Sequence, residues 1–249
     1  IPASWVEEMM KPHVSDTGGD SYCYQMWECS NPKTARADGA YGQYIIVMPN
    51  EDMVAVVTQV IRGGKAGRRE QQMLFKDVLG AIKSEALPKS AADFRLLQKK
   101  SASYVLPYAE GRSAATSKAV LNKTFTFDKN AYGWKSVRIV KVGKNLKLFI
   151  DTEDCGTNEI ECGYRKWTLS EVATKFPPNA RGNTKGAFSG FTSPFKASAS
   201  YGWTRDGKLN VKVLYVDWMS GAKLQFDFVQ NQMTLQENYK SKASLLRFK

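Results

Sequence analysis

Ala35-Arg-Ala-Asp-Gly-Ala-Tyr-Gly-Gln-Tyr-Ile-Ile-Val-Met-Pro49 is the stretch that decides how this chain is read. It passes from small, glycine-bearing residues straight into the apolar run Gly42–Met48. A second apolar run, Met53–Ile61, follows after Pro49, Asn50, Glu51 and Asp52. Two apolar runs joined by so short a turn predict an antiparallel strand pair. Because their apolarity is continuous rather than alternating, both faces of that pair are expected to be covered. Glycine ahead of a strand lets a backbone approach a ligand closely, since no Cβ stands between them.

Upstream, Trp5–Met10 has helical spacing of Trp5, Met9 and Met10, and Pro2-Ala-Ser4 offers it a start. Ser21–Cys29 alternates as a strand, with Tyr22, Tyr24 and Met26 on one face and Cys23, Gln25 and Trp27 on the other; Ser30–Arg36 reads as a loop. Downstream, Ala66–Ala86 predicts a long helix with an apolar stripe of Met73, Leu74, Val78, Ile82 and Leu87. Pro88 closes it, and Ser90 opens a shorter helix reaching about Ala102.

From Tyr108 the texture changes. Gly111–Ser117 is small and polar, like a linker. Short alternating stretches then recur at Lys123–Asp128, Ser136–Val142, Asn145–Asp151, Glu159–Lys166, Ala197–Thr204, Lys208–Asp217, Ala222–Val229 and Gln232–Gln236. Turn signals sit at Gly143-Lys144-Asn145, Asp206-Gly207 and Ser220-Gly221. That spacing predicts an antiparallel barrel or sandwich. The expected organisation is α+β: residues 1–87 as three antiparallel strands plus a helix, 88–117 as helix and linker, and 118–249 as an antiparallel β domain.

At 249 residues, with 43% hydrophobic and 12% aromatic content, the composition is that of a folded protein. The net charge of +12 is spread along the chain, its densest group being Arg62, Lys65, Arg68 and Arg69. No nucleic-acid signature accompanies it, so a solvated basic surface is expected, with no specific nucleic-acid partner. No apolar stretch is long enough for a membrane helix. The start, Ile1-Pro-Ala-Ser-Trp5, has no Met and no apolar signal core, so the chain is expected to begin inside something larger or after processing.

The four cysteines, Cys23, Cys29, Cys155 and Cys162, lack zinc-knuckle spacing, and His13 is the lone histidine, so no metal site is expected. Cys155 and Cys162 flank an expected hairpin loop, Gly156-Thr-Asn-Glu159, which suits either a cross-strand disulfide or two ordinary thiols. Asp151, Glu153 and Asp154 lack the spacing of a calcium loop and are expected to face water. Trp134, Trp167, Trp203 and Trp218 are expected in the β-domain core rather than around a ligand. Ser30-Asn-Pro-Lys33 and Ser193-Pro-Phe-Lys196 satisfy Ser-x-x-Lys, but neither sits in a helical context that would place Lys one turn from Ser. Lys33-Thr34-Ala35 lacks the glycine of Lys-Thr-Gly.

Tyr22-Cys-Tyr-Gln-Met-Trp27 and Asp38-Gly-Ala-Tyr-Gly-Gln-Tyr44 with Pro49 resemble the end of the catalytic domain in the serine β-lactamase and penicillin-binding-protein superfamily. Within it, the esterase and 6-aminohexanoate-dimer-hydrolase branch is the most similar. The resemblance covers about the first third of the chain. The part after Pro107 resembles, in texture, the lipocalin-like domain appended to some of these hydrolases.

The resemblance implies a serine hydrolase that acts on an ester, amide or peptide-like bond through an acyl-enzyme, without metal or organic cofactor. Ala37-Asp38-Gly39 match the third active-site motif, which makes the Ala40 backbone N–H the oxyanion-hole donor. The substrate-facing positions are then Arg36, Ala37, Asp38, Gly39 and Tyr41. Ala37 stands where the family has a cation or an aromatic, which counts against recognition of a β-lactam carboxylate. The nucleophile and base are expected outside these residues. The missing N-terminal catalytic segment, or a second copy, is the expected partner, beside a small-molecule or peptide-like substrate. The resemblance also implies an exported or periplasmic location. The rival class is a ligand-binding or interaction module built on the β domain.

Overall fold

Buried and exposed side chains alternate with a period of two along many of the strands, and β-structure is the main regular structure among the described residues. The computed structural model describes residues 1–15, 20–40, 42–59, 71–113, 118–173, 194–216, 221–237 and 242–249. Expectations placed on Tyr41, Arg62, Lys65, Arg68, Arg69, Ser193, Trp218 and Ser220 lie outside these residues. The chain divides into two units, Ile1–Leu96 and Leu97–Lys249. The dividing point falls inside a helix, α2 (Ala91–Ala102), rather than at residue 87.

The first unit opens with helix α1 (Ala3–Met10), whose first turn bonds to the Pro2 carbonyl without a side-chain cap. The strand expected over Ser21–Cys29 is broken. Gln25 takes a left-handed φ of 59°, and the Cys23 N–H donates to the Met26 carbonyl at 2.8 Å across a two-residue loop. Cys23 and Met26, expected on opposite faces, are therefore buried together. What remains as strand is β1 (Trp27–Glu28). It pairs with β2 (Ala35–Gly39), most of which the sequence left in a loop or a strand approach. Then come β3 (Gln43–Met48) and β4 (Met53–Val57), joined by a tight turn with Asp52 in the left-handed region. The four strands form an antiparallel sheet in chain order.

The helix expected over Ala66–Ala86 is helical over its described part from Gln71 and stops at Ala81, where Ile82 turns extended. Leu74–Val78 is a π-helical turn, and the Leu79 N–H donates to the Leu74 carbonyl. This i→i+5 step resets the apolar stripe. Leu74, Phe75 and Leu79 pack on Cys29, Tyr44, Ile46 and Met48, while Met73, Val78 and Ile82 face solvent.

The expectation that both sheet faces are covered fails at β3 and β4. On the face opposite that helix, Ile45, Val54 and Val56 are 49%, 59% and 65% exposed. Ile45 pairs directly with Val56, so these side chains form one bare apolar surface. Met9, Met10 and Val47 pack on its neighbours Cys23, Met26 and Ala35.

The second unit carries β5 (Thr124–Thr126), β6 (Trp134–Val142), β7 (Asn145–Thr152), β8 (Gly156–Tyr164), β9 (Thr168–Val172), β10 (Phe195–Trp203), β11 (Leu209–Tyr215), β12 (Gly221–Asp227), β13 (Gln232–Glu237) and β14 (Ser244–Arg247). They form one sheet ordered β14-β13-β12-β11-β10-β8-β7-β6-β5, with β9 beside β10. The two end strands meet: Thr126 and Lys249 exchange reciprocal backbone bonds of 2.9 Å, and the Asp128 N–H donates to the Arg247 carbonyl at 3.0 Å. The sheet thus curls until its edges pair, which removes them as templates for other strands.

A closed circuit of nine strands cannot alternate direction throughout, so one neighbouring pair must run parallel. That pair is β8 and β10, a departure from the all-antiparallel expectation. The interior is filled, with Tyr201, Trp203, Phe226 and Ile139 among its largest sealed side chains.

Part of the expected linker belongs to this unit. Ala109 N–H donates to Ser200 Oγ at 2.9 Å, Lys212 Nζ to the Pro107 carbonyl at 2.9 Å, and Arg112 pairs with Trp203. Residues 107–112 therefore run as a strap over β10 and β11. Its closeness requires glycine: a Cβ on Gly202 would stand 2.5 Å from the Glu110 carbonyl oxygen.

Candidate functional site

The positions expected to form the oxyanion side of an active site lie on β2 and its turn into β3. Because side chains alternate along a strand, they do not converge. Arg36 and Asp38 share a face with Ile46 and Tyr44, their partners in register, while Ala37 shares the bare face with Ile45. What Ala37, Asp38 and Gly39 have in common is a backbone edge. β1 pairs only with Ala35 and Arg36, so the outward edge of residues 37–39 has no strand beside it among the described residues. Gly39 lies close to its partner, where a Cβ would meet Gln43 Cβ and O at 3.3 Å. The turn is pinned by Gln43 Nε2 on the Ala40 carbonyl at 3.2 Å and Gln59 Nε2 on the Gly42 carbonyl at 2.6 Å, with Gly42 at φ 83°. Ala40 itself is exposed, and Tyr41 lies outside the described residues.

Arg36 is buried and held on all sides. Its Nη2 donates to Asp20 Oδ2 at 2.8 Å, Nε to Asp38 Oδ2 at 3.1 Å, and Nη1 to the Glu28 carbonyl at 2.8 Å. Burial works to lower its pKa, but the hydrogen bonds to Asp20, Cys29 and Asp38 outweigh that and hold it above the ordinary arginine value. The guanidinium ties the segment at Asp20 to β1 and β2, and it occupies one oxygen of Asp38. The Asp38 side chain keeps about a third of its surface in solvent.

Several other candidates resolve structurally. Ser30-x-x-Lys33 is a turn, with Lys33 at φ 54°, and does not present Lys above Ser. His13 stacks on Tyr24 at 3.8 Å, and its Nε2 lies 3.0 Å from the Glu8 carbonyl. The expected loop Gly156–Glu159 is strand β8. It places Cys155 at an exposed turn and Cys162 in the barrel core, and all four cysteines are free thiols. Trp134 and Trp203 are core residues, and Trp167 Nε1 donates to the Leu106 carbonyl at 3.0 Å. Among the described residues no three His, Cys, Asp or Glu side chains are grouped to hold a metal, and no helix is long and apolar enough to cross a membrane.

A second cluster was not legible in the sequence. Towards one end of the barrel the inward side chains pair in register as Trp134 (β6) with Thr152 (β7), Ala197 (β10) with Tyr215 (β11), Ala222 (β12) with Glu237 (β13), and Leu235 (β13) with Ser244 (β14), and Asn158 of β8 lies opposite Ile150. Glu237 is a carboxylate only 2% exposed. Its Oε1 accepts from Tyr132 OH at 2.7 Å, and that hydroxyl lies 2.9 Å from Ser244 Oγ. Packed inward with them are Ile150, Ile160, Val213, Leu224 and Leu235. The barrel interior is thus polar at one mouth and apolar below.

These geometries define a curled β unit and a small layered sheet with an open strand edge. No family model, curated protein or solved structure matches the chain.

Proposed function

We propose that the chain supplies the oxyanion-hole side of a serine hydrolase acting on an ester, amide or peptide-like bond, with the nucleophile and base on a separate N-terminal catalytic segment. One observation carries this reading: a four-stranded sheet whose helix covers one face while Ile45, Val54 and Val56 stand bare on the other. An exposed apolar surface of this kind is what a missing second layer leaves behind. The open edge at residues 37–39 and the exposed turn at Ala40 lie at the same sheet.

In this role the Ala40 N–H stabilises negative charge as it develops on the acyl oxygen, and the β2 edge lines the substrate. Arg36 acts as a buried strut, and Asp38 presents its remaining oxygen to a polar substrate. An exported or periplasmic setting belongs to the same proposal. Its test is fluorophosphonate labelling of this chain beside the product of the full reading frame, with the labelled peptide mapped by mass spectrometry. The reading expects label only in the longer product, on a serine outside residues 1–249. Replacing Ala40 with Pro removes the donor and is expected to lower labelling by about 10²-fold while the fold persists. Label on a serine within this chain, or none on a folded longer product, overturns the reading.

A further inference from the structure

The strand directions of the second unit gather several of its turns at one end. β8 and β10 run parallel, so they finish at the same end, and β7 and β11, antiparallel to them, start there. β6 ends beside the start of β7, and β12 ends beside the start of β11. The turns at residues 143–144, 165–167, 204–208 and 228–231 therefore share that end. Contacts tie them together. Tyr201 OH lies 2.8 Å from the Lys144 carbonyl oxygen and 3.1 Å from that of Ser113, and its ring is 5.9 Å from the Tyr164 ring. Arg112 pairs with Trp203, whose ring lies 5.9 Å from Phe228.

Around this end stand six exposed cations, Arg112, Lys141, Lys144, Arg165, Lys166 and Arg205, none with a carboxylate partner among the described residues. The carboxylates at the same turns, Asp206 and Asp227, both pair with Lys208, at 3.4 and 3.3 Å. Like charges gathered in this way repel one another and set up a field that draws an anionic surface. Two turn tips among them are apolar: Val142 is 46% exposed and Val229 81%. We propose that this end of the β unit docks on an anionic lipid surface, its cations on the head groups and Val142 and Val229 at the acyl boundary. A nucleic acid would engage the cations and leave both valines in water, so the tips favour the bilayer. The orientation follows from the topology. The β7–β8 turn, with Glu153, Asp154 and Cys155, lies at the opposite end and faces away from the lipid. This inference is independent of the hydrolase reading, since every residue it uses belongs to the second unit.

The test is co-sedimentation of the full chain with phosphatidylcholine vesicles, with and without phosphatidylglycerol, at about 150 mM salt. The inference expects binding that requires phosphatidylglycerol and weakens as salt rises. Lys144→Gln with Arg205→Gln should lower the partition coefficient by about fivefold for each cation lost. The same change at the opposite end, Lys135→Gln with Lys242→Gln, should leave it within about twofold, because screening at this salt reaches only about 8 Å. A solvatochromic dye on Val229→Cys, in a Cys155→Ser background, should shift to the blue on these vesicles, and the same dye on the native Cys155 should not. Failure of the unmodified chain to bind phosphatidylglycerol vesicles, even if it binds duplex DNA, overturns the inference whether or not the variants fold. Equal losses from the two double variants, or an unshifted dye at position 229 on a bound chain, overturn it as well.

Discussion

A guanidinium sealed inside a fold has to bring its counter-charges with it, and Arg36 binds two: Asp20 at 2.8 Å and Asp38 at 3.1 Å. The two carboxylates keep about a third of their surface in water, whereas the arginine side chain does not. Removing the cation therefore strands anions that solvent can rehydrate, while removing both anions strands a cation that it cannot. Asp20→Asn with Asp38→Asn is expected to destabilise the first unit by about 3–5 kcal/mol, and Arg36→Met by about 1–2 kcal/mol. Urea unfolding followed by tryptophan fluorescence reads both, and the reverse order would show that the arginine is not the desolvated member.

The cysteines give a second residue-scale prediction. Burial pushes the Cys162 thiol well above its ordinary range, and Cys23 and Cys29 are raised by the same cause. Cys155 is the exposed one. Native alkylation at pH 8 is expected to label Cys155 within minutes and to spare the other three until the protein is unfolded. Rapid labelling of Cys162 would mean that the barrel opens.

At the scale of elements, close backbone approaches and capped turns hold the second unit together. A side chain on Gly202 collides with the strap at Glu110, so Gly202→Val is expected to cost about 1–3 kcal/mol and to expose residues 104–113 to proteolysis. The turn between β12 and β13 is closed by Asp227. Its Oδ1 accepts from Gln230 N–H at 3.0 Å and Val229 N–H at 3.1 Å, and its Oδ2 pairs with Lys208. The Gln230 N–H first, then Lys208 and the Val229 N–H, hold the carboxyl below its ordinary pKa despite burial. A depressed folded pKa contributes stability above the unfolded value and loses it as pH falls. The advantage of the parent chain over Asp227→Asn, about 1–2 kcal/mol near neutrality, should therefore shrink below about pH 4. Thermal melts from pH 7 to pH 2.5 measure it, and an advantage that persists unchanged at pH 2.5 contradicts the assignment.

The same scale shows what the sequence could disclose. Asn145–Thr152 and Leu209–Tyr215 alternate cleanly because each has one face in a core and one in solvent, and both strands were legible. β9 was not: Leu169 points outward, and the strand pairs with β10 through only Val172 and Glu171. The break at Gln25 and the π turn at Leu74–Val78 were hidden because tertiary packing, not propensity, selects them. At the sites, the glycine-bearing turn was readable locally. The Arg36 to Asp20 pair spans sixteen positions, and the Glu237 cluster exists only once strand register is known.

At the scale of the whole molecule, the two units differ in how complete they are. The second unit pairs its own end strands through Thr126 and Lys249 and carries a continuous core from Phe127 to Phe248. The first has a sheet with one bare face, and apolar side chains in water there favour any partner that removes them, at about 25 cal/mol per Å² buried. Sedimentation velocity of the isolated chain at micromolar concentration, beside the Ile45→Glu, Val56→Lys variant, tests this most directly. The account predicts that the parent chain self-associates or retains a second polypeptide, and that the variant is a folded monomer. A parent chain that sediments as a clean monomer, with no second polypeptide on a gel, would contradict it.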